Sequence, residues 1–318
     1  MKKKNSLEEN FAARLVKDEA LREKFREALQ GKGSFSSSIV CFTEALPFET
    51  EESFSFQPSF TKRVSSTLEP GKYKEHEAGD YYILDPSSIF AASPLYFSVA
   101  KQIENPKLVL DMCAAPGGKA IFAWRCLTPE LLICNEVVSK RIGALHSNLT
   151  RCKIHPSKIT SSDPKWIGES AERAAQVVIV DAPCSGQSLP VKGKSQPGCF
   201  HKQTINMNAN RQKRILAESS KCVAPNGFLL YSTCTFSREE NEKVVSWFLK
   251  KFPDFSLVEV PELAGYRTEF IDEPCYRLWP MNGEGAGAFC ALLKYEQYGE
   301  AREPDFEGLR VRWSSEEV

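Results

Sequence analysis

The sequence predicts an α/β fold: a doubly wound, mostly parallel sheet with an antiparallel last strand, preceded by a small N-terminal α+β region. Three observations point there. From about Lys107 onward, short unbroken apolar runs alternate with helical patterns. The runs lack the in–out alternation of a half-exposed strand, so both faces are buried, as in a parallel sheet covered by helices. Each of the first four runs ends on a polar or acidic residue, at the strand end where such folds hold ligands.

The elements follow in order. Ser6-Leu7-Glu8-Glu9 reads as a capping box. Phe11, Leu15, Leu21, Phe25 and Leu29 then recur at helical spacing until Gly31, so residues 6–30 are expected to form one or two amphipathic helices. The stretch 31–79 is rich in Ser, Glu and Phe, and alternation near 38–42 and 53–56 predicts short strands. Next come Leu108-Val109-Leu110, closed by Asp111, and Leu131-Leu132-Ile133-Cys134, closed by Asn135-Glu136. Val177-Val178-Ile179-Val180 stops at Asp181, Phe228-Leu229-Leu230-Tyr231 stops at Ser232, and Phe289-Cys290-Ala291-Leu292-Leu293 suits the last strand. Helical patterns lie near 119–127, 139–152, 208–222 and 238–251.

Composition narrows the class. Of 318 residues, 42% are hydrophobic and 26% charged, which excludes disorder as the main state. No apolar run reaches the roughly 18 residues of a membrane-spanning helix. Met1-Lys2-Lys3-Lys4 is basic but precedes no apolar core, so no secretory signal is expected. A reducing, cytoplasmic setting follows as an expectation, with free thiols for the eleven cysteines. No Cys-x-x-Cys occurs and His76, His146, His155 and His201 are scattered, so no metal site is expected. Lys plus Arg and Asp plus Glu number 41 each, and zero net charge argues against holding nucleic acid by bulk electrostatics. The distribution narrows that exclusion. Lys192, Lys194, Lys202, Arg211, Lys213, Arg214 and Lys221 face only Glu218 between Ser185 and Cys222, while acids gather at 44–52 and 300–317. A neutral chain can therefore carry a local basic groove.

Two sets of residues carry chemistry. Asp111-Met112-Cys113-Ala114-Ala115-Pro116-Gly117-Gly118-Lys119 joins the first strand to a helix through small residues that let a ligand approach the backbone. Glu136, 25 residues after Asp111, is placed to accept ribose hydroxyls, and Asp163 to meet the edge of an adenine. The glycine spacings of nicotinamide enzymes and of phosphate-binding loops are absent, which favours a nucleoside cofactor without pyrophosphate and disfavours an oxidoreductase. On the other side, Asp181-Ala182-Pro183-Cys184-Ser185-Gly186 and Ser232-Thr233-Cys234-Thr235 follow two apolar runs expected to be neighbours. Adjacent strands lie about 4.8 Å apart, so the two thiols are expected to converge. An arbitrary cysteine is more often a buried, inert one.

Leu110 to Lys119, Asp181 to Gly186, Tyr231 to Thr235 and Glu240-Asn241-Glu242, in that order, resemble the RNA (cytosine-5)-methyltransferases of the Fmu/Sun type. The resemblance covers roughly residues 80 to 295. It implies a Rossmann-like class I methyltransferase sheet and an S-adenosylmethionine cofactor. It places Cys113, Ala114, Ala115, Pro116, Gly117, Gly118 and Lys119 around the cofactor, with Glu136 on the ribose and Asp163 on the adenine. It sets Asp181 near the methyl donor and target base, makes Cys234 the nucleophile at C6 of cytosine, and gives Cys184 a part in product release. Ribosomal RNA is the favoured partner, transfer RNA the alternative substrate, and a non-catalytic RNA-binding assembly factor the alternative role. A monomer without membrane or metal partners is expected. Residues 1–75 are read as an accessory region and candidate RNA contact, 76–298 as the methyltransferase domain, and 299–318 as a charged tail. Arg277, in Arg277-Leu278-Trp279-Pro280, is either a phosphate contact or one half of a surface salt bridge.

Overall fold

The computed structural model describes residues 7–31 and 36–315. Ser6 of the expected capping box and the basic start lie outside them. The chain opens with helices α1 (Leu7–Leu15) and α2 (Glu19–Leu29), then strands β1 (Ser37–Cys41) and β2 (Thr61–Val64), helix α3 (Lys74–Ala78), strand β3 (Tyr81–Leu84) and helix α4 (Pro86–Ala92). The α/β alternation follows: β4 (Leu108–Asp111), α5 (Gly118–Leu127), β5 (Leu131–Asn135), α6 (Ser139–Arg151), β6 (Ser157–Thr160), α7 (Pro164–Ser170), β7 (Ala175–Asp181), α8 (Ser188–Val191), α9 (Lys202–Cys222), β8 (Val223–Thr233) and α10 (Glu242–Lys251). Strands β9 (Phe255–Leu257), β10 (Tyr276–Leu278), β11 (Ala288–Tyr295) and β12 (Val311–Ser314) complete it.

The main sheet runs β10-β11-β8-β7-β4-β5-β6-β12, with β9 also on β11. Strands β4 to β8 are mutually parallel, whereas β11 is antiparallel to β8. Strand order turns back between β4 and β7, so the two halves wind in opposite directions and leave a crevice at that point. Alternate residues of each strand feed two cores. Val109, Leu132, Val177, Ile179 and Leu230 pack with Phe90, Ile121, Phe122 and Leu149 on one face. Leu110, Ile133, Val178, Val180 and Leu229 pack with Ile167, Ile215, Leu216, Val245 and Phe248 on the other. The doubly wound, mostly parallel sheet with an antiparallel β11 is the expected architecture.

Three features depart from expectation. Residues 53–56 form a turn, not a strand: Phe54 N donates to Gln57 Oε1 and Gln57 N donates to the Phe54 carbonyl, both at 2.9 Å. The rings of Phe54 and Phe56 stack on each other, so their apolar alternation does not come from a pleat. The small sheet, ordered β2-β1-β3, takes its third strand from residues beyond 75. The acidic tail contributes β12, antiparallel to β6, with a register irregularity between Val311 and Trp313.

Helices α1 and α2 do not stand apart. Phe11, Leu15, Phe25 and Leu29 share a core with Val191, Ile205, Phe236 and Ala286. Phe25 meets Phe236 edge-on at 5.1 Å and Trp279 at 5.7 Å. Phe236 lies two residues after Cys234, so this core backs the second cysteine loop. Gly287 closes it with φ +101°, and a Cβ there would fall 2.3 Å from a Phe236 ring carbon. Gly287→Ala combines backbone strain with this clash and is expected to cost about 3 kcal/mol, read as a lower urea midpoint at unchanged slope.

Candidate active site

Parallel strands deliver their C-terminal residues to one edge. Asp111 ends β4, Asn135 ends β5 with Glu136 directly after it, Asp181 ends β7 and Thr233 ends β8. Asp111 stands opposite Ile179 and Cys134, and Asp181 opposite Ser232. Asn135 holds three strand ends together: Nδ2 donates to the carbonyls of Met112 and Ser162, and Oδ1 accepts from Thr160 Oγ1 and Ser162 N. The Ala114–Gly118 turn is fixed by Ala114 N on the Asn135 carbonyl at 2.9 Å and by Asn148 Nδ2 on the Pro116 carbonyl at 2.9 Å. Gly117 adopts φ +113° and begins α5 without a side-chain cap, which leaves first-turn amides free for a ligand.

The acidic residues do different work. Glu136 is buried; its Oε1 accepts from Val138 N at 2.8 Å. Arg141 Nη1 stands 2.9 Å from its Oε2 as an ion pair, though out of line for a hydrogen bond. Asp163 caps α7 through Lys165 N at 3.0 Å, with Pro164 as the first helical residue, and its other oxygen lies 3.9 Å from Arg214. Asp163 therefore has a structural task beside any ligand contact. Met112, Cys113, Glu136, Val137, Asp163, Pro183, Arg211 and Arg214 line a cavity of about 160 Å³. A larger cavity, about 520 Å³, lies between Leu15–Leu21 and the 265–282 segment, and no cysteine lines it.

Lys119 departs from the cofactor turn. It is buried and reaches Asp181 Oδ2 at 2.8 Å, while Ser232 Oγ donates to Asp181 Oδ1 at 3.0 Å. Burial disfavours its ammonium, but the carboxylate of Asp181 outweighs that and raises its pKa. Asp111, which the strand pattern marked but no role was given, is fully buried; Oδ1 accepts from Cys113 N and Oδ2 has no hydrogen-bond partner. Burial, then the charge of Asp181, pushes its pKa up to about 7.

Cys184 Sγ and Cys234 Sγ lie 3.2 Å apart. Strand spacing alone leaves them farther apart, and the loops bring them in. The hydrogen bond from Cys184 holds Cys234 below the ordinary thiol range against burial, with help from Ser188 and Lys119. The same bond, with burial, pushes Cys184 up. The other nine thiols are all raised, by burial first. Cys234 alone among the eleven thiols is shifted down.

Arg277 forms an ion pair, but a buried one and not the surface salt bridge expected. It is buried and grips Glu242 with Nε and Nη2, both at 2.6 Å, so it is not exposed to phosphate. Of the basic segment, Lys192 pairs with Asp85 and Lys221 with Glu218, whereas Arg211 and Arg214 are exposed on the cavity rim. Among the described residues no group of three or more His, Cys, Asp or Glu is placed to hold a metal ion, and no helix is long and apolar enough to cross a membrane.

A family model described as 16S rRNA methyltransferase RsmB/F matches residues 99–294. The ribosomal RNA small subunit methyltransferase F of Pectobacterium atrosepticum is 30% identical over 227 residues, 70% of this chain and 46% of that protein. The chain spans about half the length of the curated relatives it matches. A crystal structure named PH0851 superposes with TM-score 0.77 at 24% identity, covering 91% of this chain and 68% of that one. NSun6 from Pyrococcus horikoshii, solved with SFG, gives 0.71 at 17% identity, covering 92% and 99%. At these identities the two structures speak to the fold.

Two measurements follow from the electrostatics. Limiting iodoacetamide at neutral pH is expected to label Cys234 before any other thiol, mapped by peptide mass spectrometry. Asp111 keeps its proton in the folded chain up to about pH 7, but ionises near pH 4 when unfolded. Its contribution is therefore present below about pH 4 and lost as pH rises through about 7. Asp111→Asn is expected to gain roughly 2–4 kcal/mol over wild type at pH 8 and little at pH 4, read from urea midpoints at the two pH values.

Proposed function

The chain belongs to the 16S rRNA methyltransferase RsmB/F family, and from that premise we propose that it methylates C5 of a cytosine in ribosomal RNA with S-adenosylmethionine. The observation that carries this reading is the pair of sulfurs 3.2 Å apart at neighbouring strand ends, with the Cys234 thiol shifted down and the Cys184 thiol shifted up. Two inert core cysteines need no such approach. The names of the small-subunit rRNA methyltransferases among the relatives support the substrate class.

The donor set suits the cofactor. S-adenosylmethionine supplies an activated methyl group on a positively charged sulfur. Asp111, Glu136 and Asp181 crowd one sheet edge, and the buried Oδ2 of Asp111 lacks a partner, which fits a ligand bearing positive charge. The free amides at the start of α5 and the turn Cys113, Ala114, Ala115, Pro116, Gly117 and Gly118 would hold its amino-acid part. Glu136 would accept the ribose hydroxyls, and Asp163, on the same cavity, would face the adenine.

C5 of cytosine is a weak nucleophile. The Cys234 thiolate adds to C6, forming an S–C6 bond and moving electron density to C5, which then takes the methyl group. Once Cys234 is bonded to C6 its negative charge is gone; Cys184 then gives its own proton to water, and the resulting thiolate takes the C5 proton, directly or through water. The C5–C6 double bond reforms as the S–C6 bond breaks, and Cys234 recovers its electron pair. Asp181, oriented by Lys119 and Ser232, accepts from the N4 amino group of the base. The base must be unpaired or flipped out to reach these groups. Exposed Lys202, Arg211 and Arg214 on α9 offer phosphate contacts beside them.

Cys234→Ala is expected to abolish transfer, by more than about 10³-fold. Cys184→Ala is expected to leave a covalent protein–RNA adduct, seen as a shifted band on a denaturing gel with labelled RNA. Full activity in Cys184→Ala with no shifted band would overturn the role assignment.

A further inference from the structure

Glu240-Asn241-Glu242 directly precedes and opens α10, and all three side chains are buried. Each fastens a different segment. Glu240 Oε2 accepts from Ser185 N at 2.8 Å and from Gln212 Nε2 at 3.0 Å, and Oε1 accepts from Ser185 Oγ at 2.6 Å. Gln212 Nε2 also donates to the Pro183 carbonyl at 3.0 Å. The residues on both sides of Cys184 are thereby tied to Glu240, one directly and one through Gln212. Asn241 does the same around Cys234: Oδ1 accepts from Thr233 Oγ1 at 2.6 Å, and Nδ2 donates to the Thr235 carbonyl at 2.9 Å. Glu242 anchors the start of α10 to Arg277 and to Thr268 Oγ1 at 2.8 Å.

A carboxylate this deep is costly, and burial raises the Glu240 pKa against the pull of its hydrogen bonds. Packing alone does not require a carboxylate at this point, since apolar residues would fill the volume more cheaply. The carboxylate adds to other ties between the two loops: Ser188 N donates to the Cys234 carbonyl at 3.1 Å, Gln187 Oε1 accepts from Thr235 Oγ1 and Phe236 N, and Ser185 Oγ meets Thr235 Oγ1 at 2.8 Å.

We infer that Glu240 is a positioning residue that, with Asn241 on the other loop, sets the distance between Cys184 and Cys234 and so brings Cys184 to the C5 proton of the adduct. This rests on the proposed reaction for its catalytic consequence, but the spacing itself is measurable without RNA or cofactor. Without Glu240 the Ser185 amide and Gln212 lose their common acceptor, which loosens the chain on both sides of Cys184 while Gln187 and Ser188 still hold the loop further on. Cys234, still held by Asn241, keeps its ability to add to the base.

Two readouts test this in Glu240→Ala and Glu240→Gln. Diamide takes two hydrogens from a thiol pair, leaving a disulfide and a hydrazine. It is expected to cross-link Cys184 to Cys234 at least about 10-fold more slowly in Glu240→Ala than in wild type, mapped by peptide mass. With RNA and cofactor, Glu240→Ala is expected to accumulate the covalent adduct although Cys184 is present, and adding Cys184→Ala to it should not increase the adduct further. Glu240→Gln keeps the volume but replaces one acceptor oxygen by a donor, and is expected to fall between; it also serves if Glu240→Ala does not fold. Cross-linking at the wild-type rate in the variants that fold, or adduct formation and release falling together, overturns the inference. If Cys184→Ala alone traps no adduct, the proposed reaction fails instead, while cross-linking still reports the spacing.

Discussion

The pairing of β7 with β8 is the constraint on which the site depends. Asp181 stands opposite Ser232, so the loop carrying Cys184 and the loop carrying Cys234 leave the sheet side by side. A slip of one residue would turn every side chain of one strand to the wrong face and separate the two sulfurs. The slip is resisted on both faces. Val178 and Val180 are buried on one, Val177 and Ile179 on the other, and β8 is buried along most of its length. Apolar packing fixes the register, and the register brings the cysteine loops together.

The same arrangement explains the electrostatic asymmetry. Parallel strands end together, so their terminal carboxylates gather where the sheet turns back. Lys119 is the buried cation that crosses this edge, and it is shared by Asp181 and the field acting on Cys234. Asp111 feels Lys119 as well, but burial and the charge of Asp181 outweigh it and raise its pKa. The whole chain is neutral, yet charge is separated over a few ångströms at the one edge where chemistry is placed.

Much of this was legible in the sequence, and the gaps have physical causes. Buried strands announce themselves as unbroken apolar runs, so β4, β5, β7, β8 and β11 could be read directly. The motif cysteines and the residues of the Ala114–Gly118 turn were legible for the same reason: short-range spacing encodes them. The alternation at 53–56 misled because Phe54 and Phe56 stack across a turn closed by Gln57. Strand β12 was hidden because an edge strand need bury little; Val311 and Arg312 are exposed. The reach of Lys119 to Asp181, the isolation of Asp111 and the grip of Asn135 on Met112 and Ser162 depend on distant segments meeting, which no local pattern records.

The core behind Phe236 has a consequence for how the molecule comes into being. Phe25 belongs to the first helical pair and Trp279 to one of the last segments, and both rings close on the residue that backs the Cys234 loop. Contacts this distant along the chain form late, after the cost of closing the longest loop has been met. During synthesis the sheet can assemble from β4 to β8 while the Trp279 side of this core has yet to emerge. A nascent chain therefore carries Cys234 without the finished backing that steadies its loop until Trp279 has emerged.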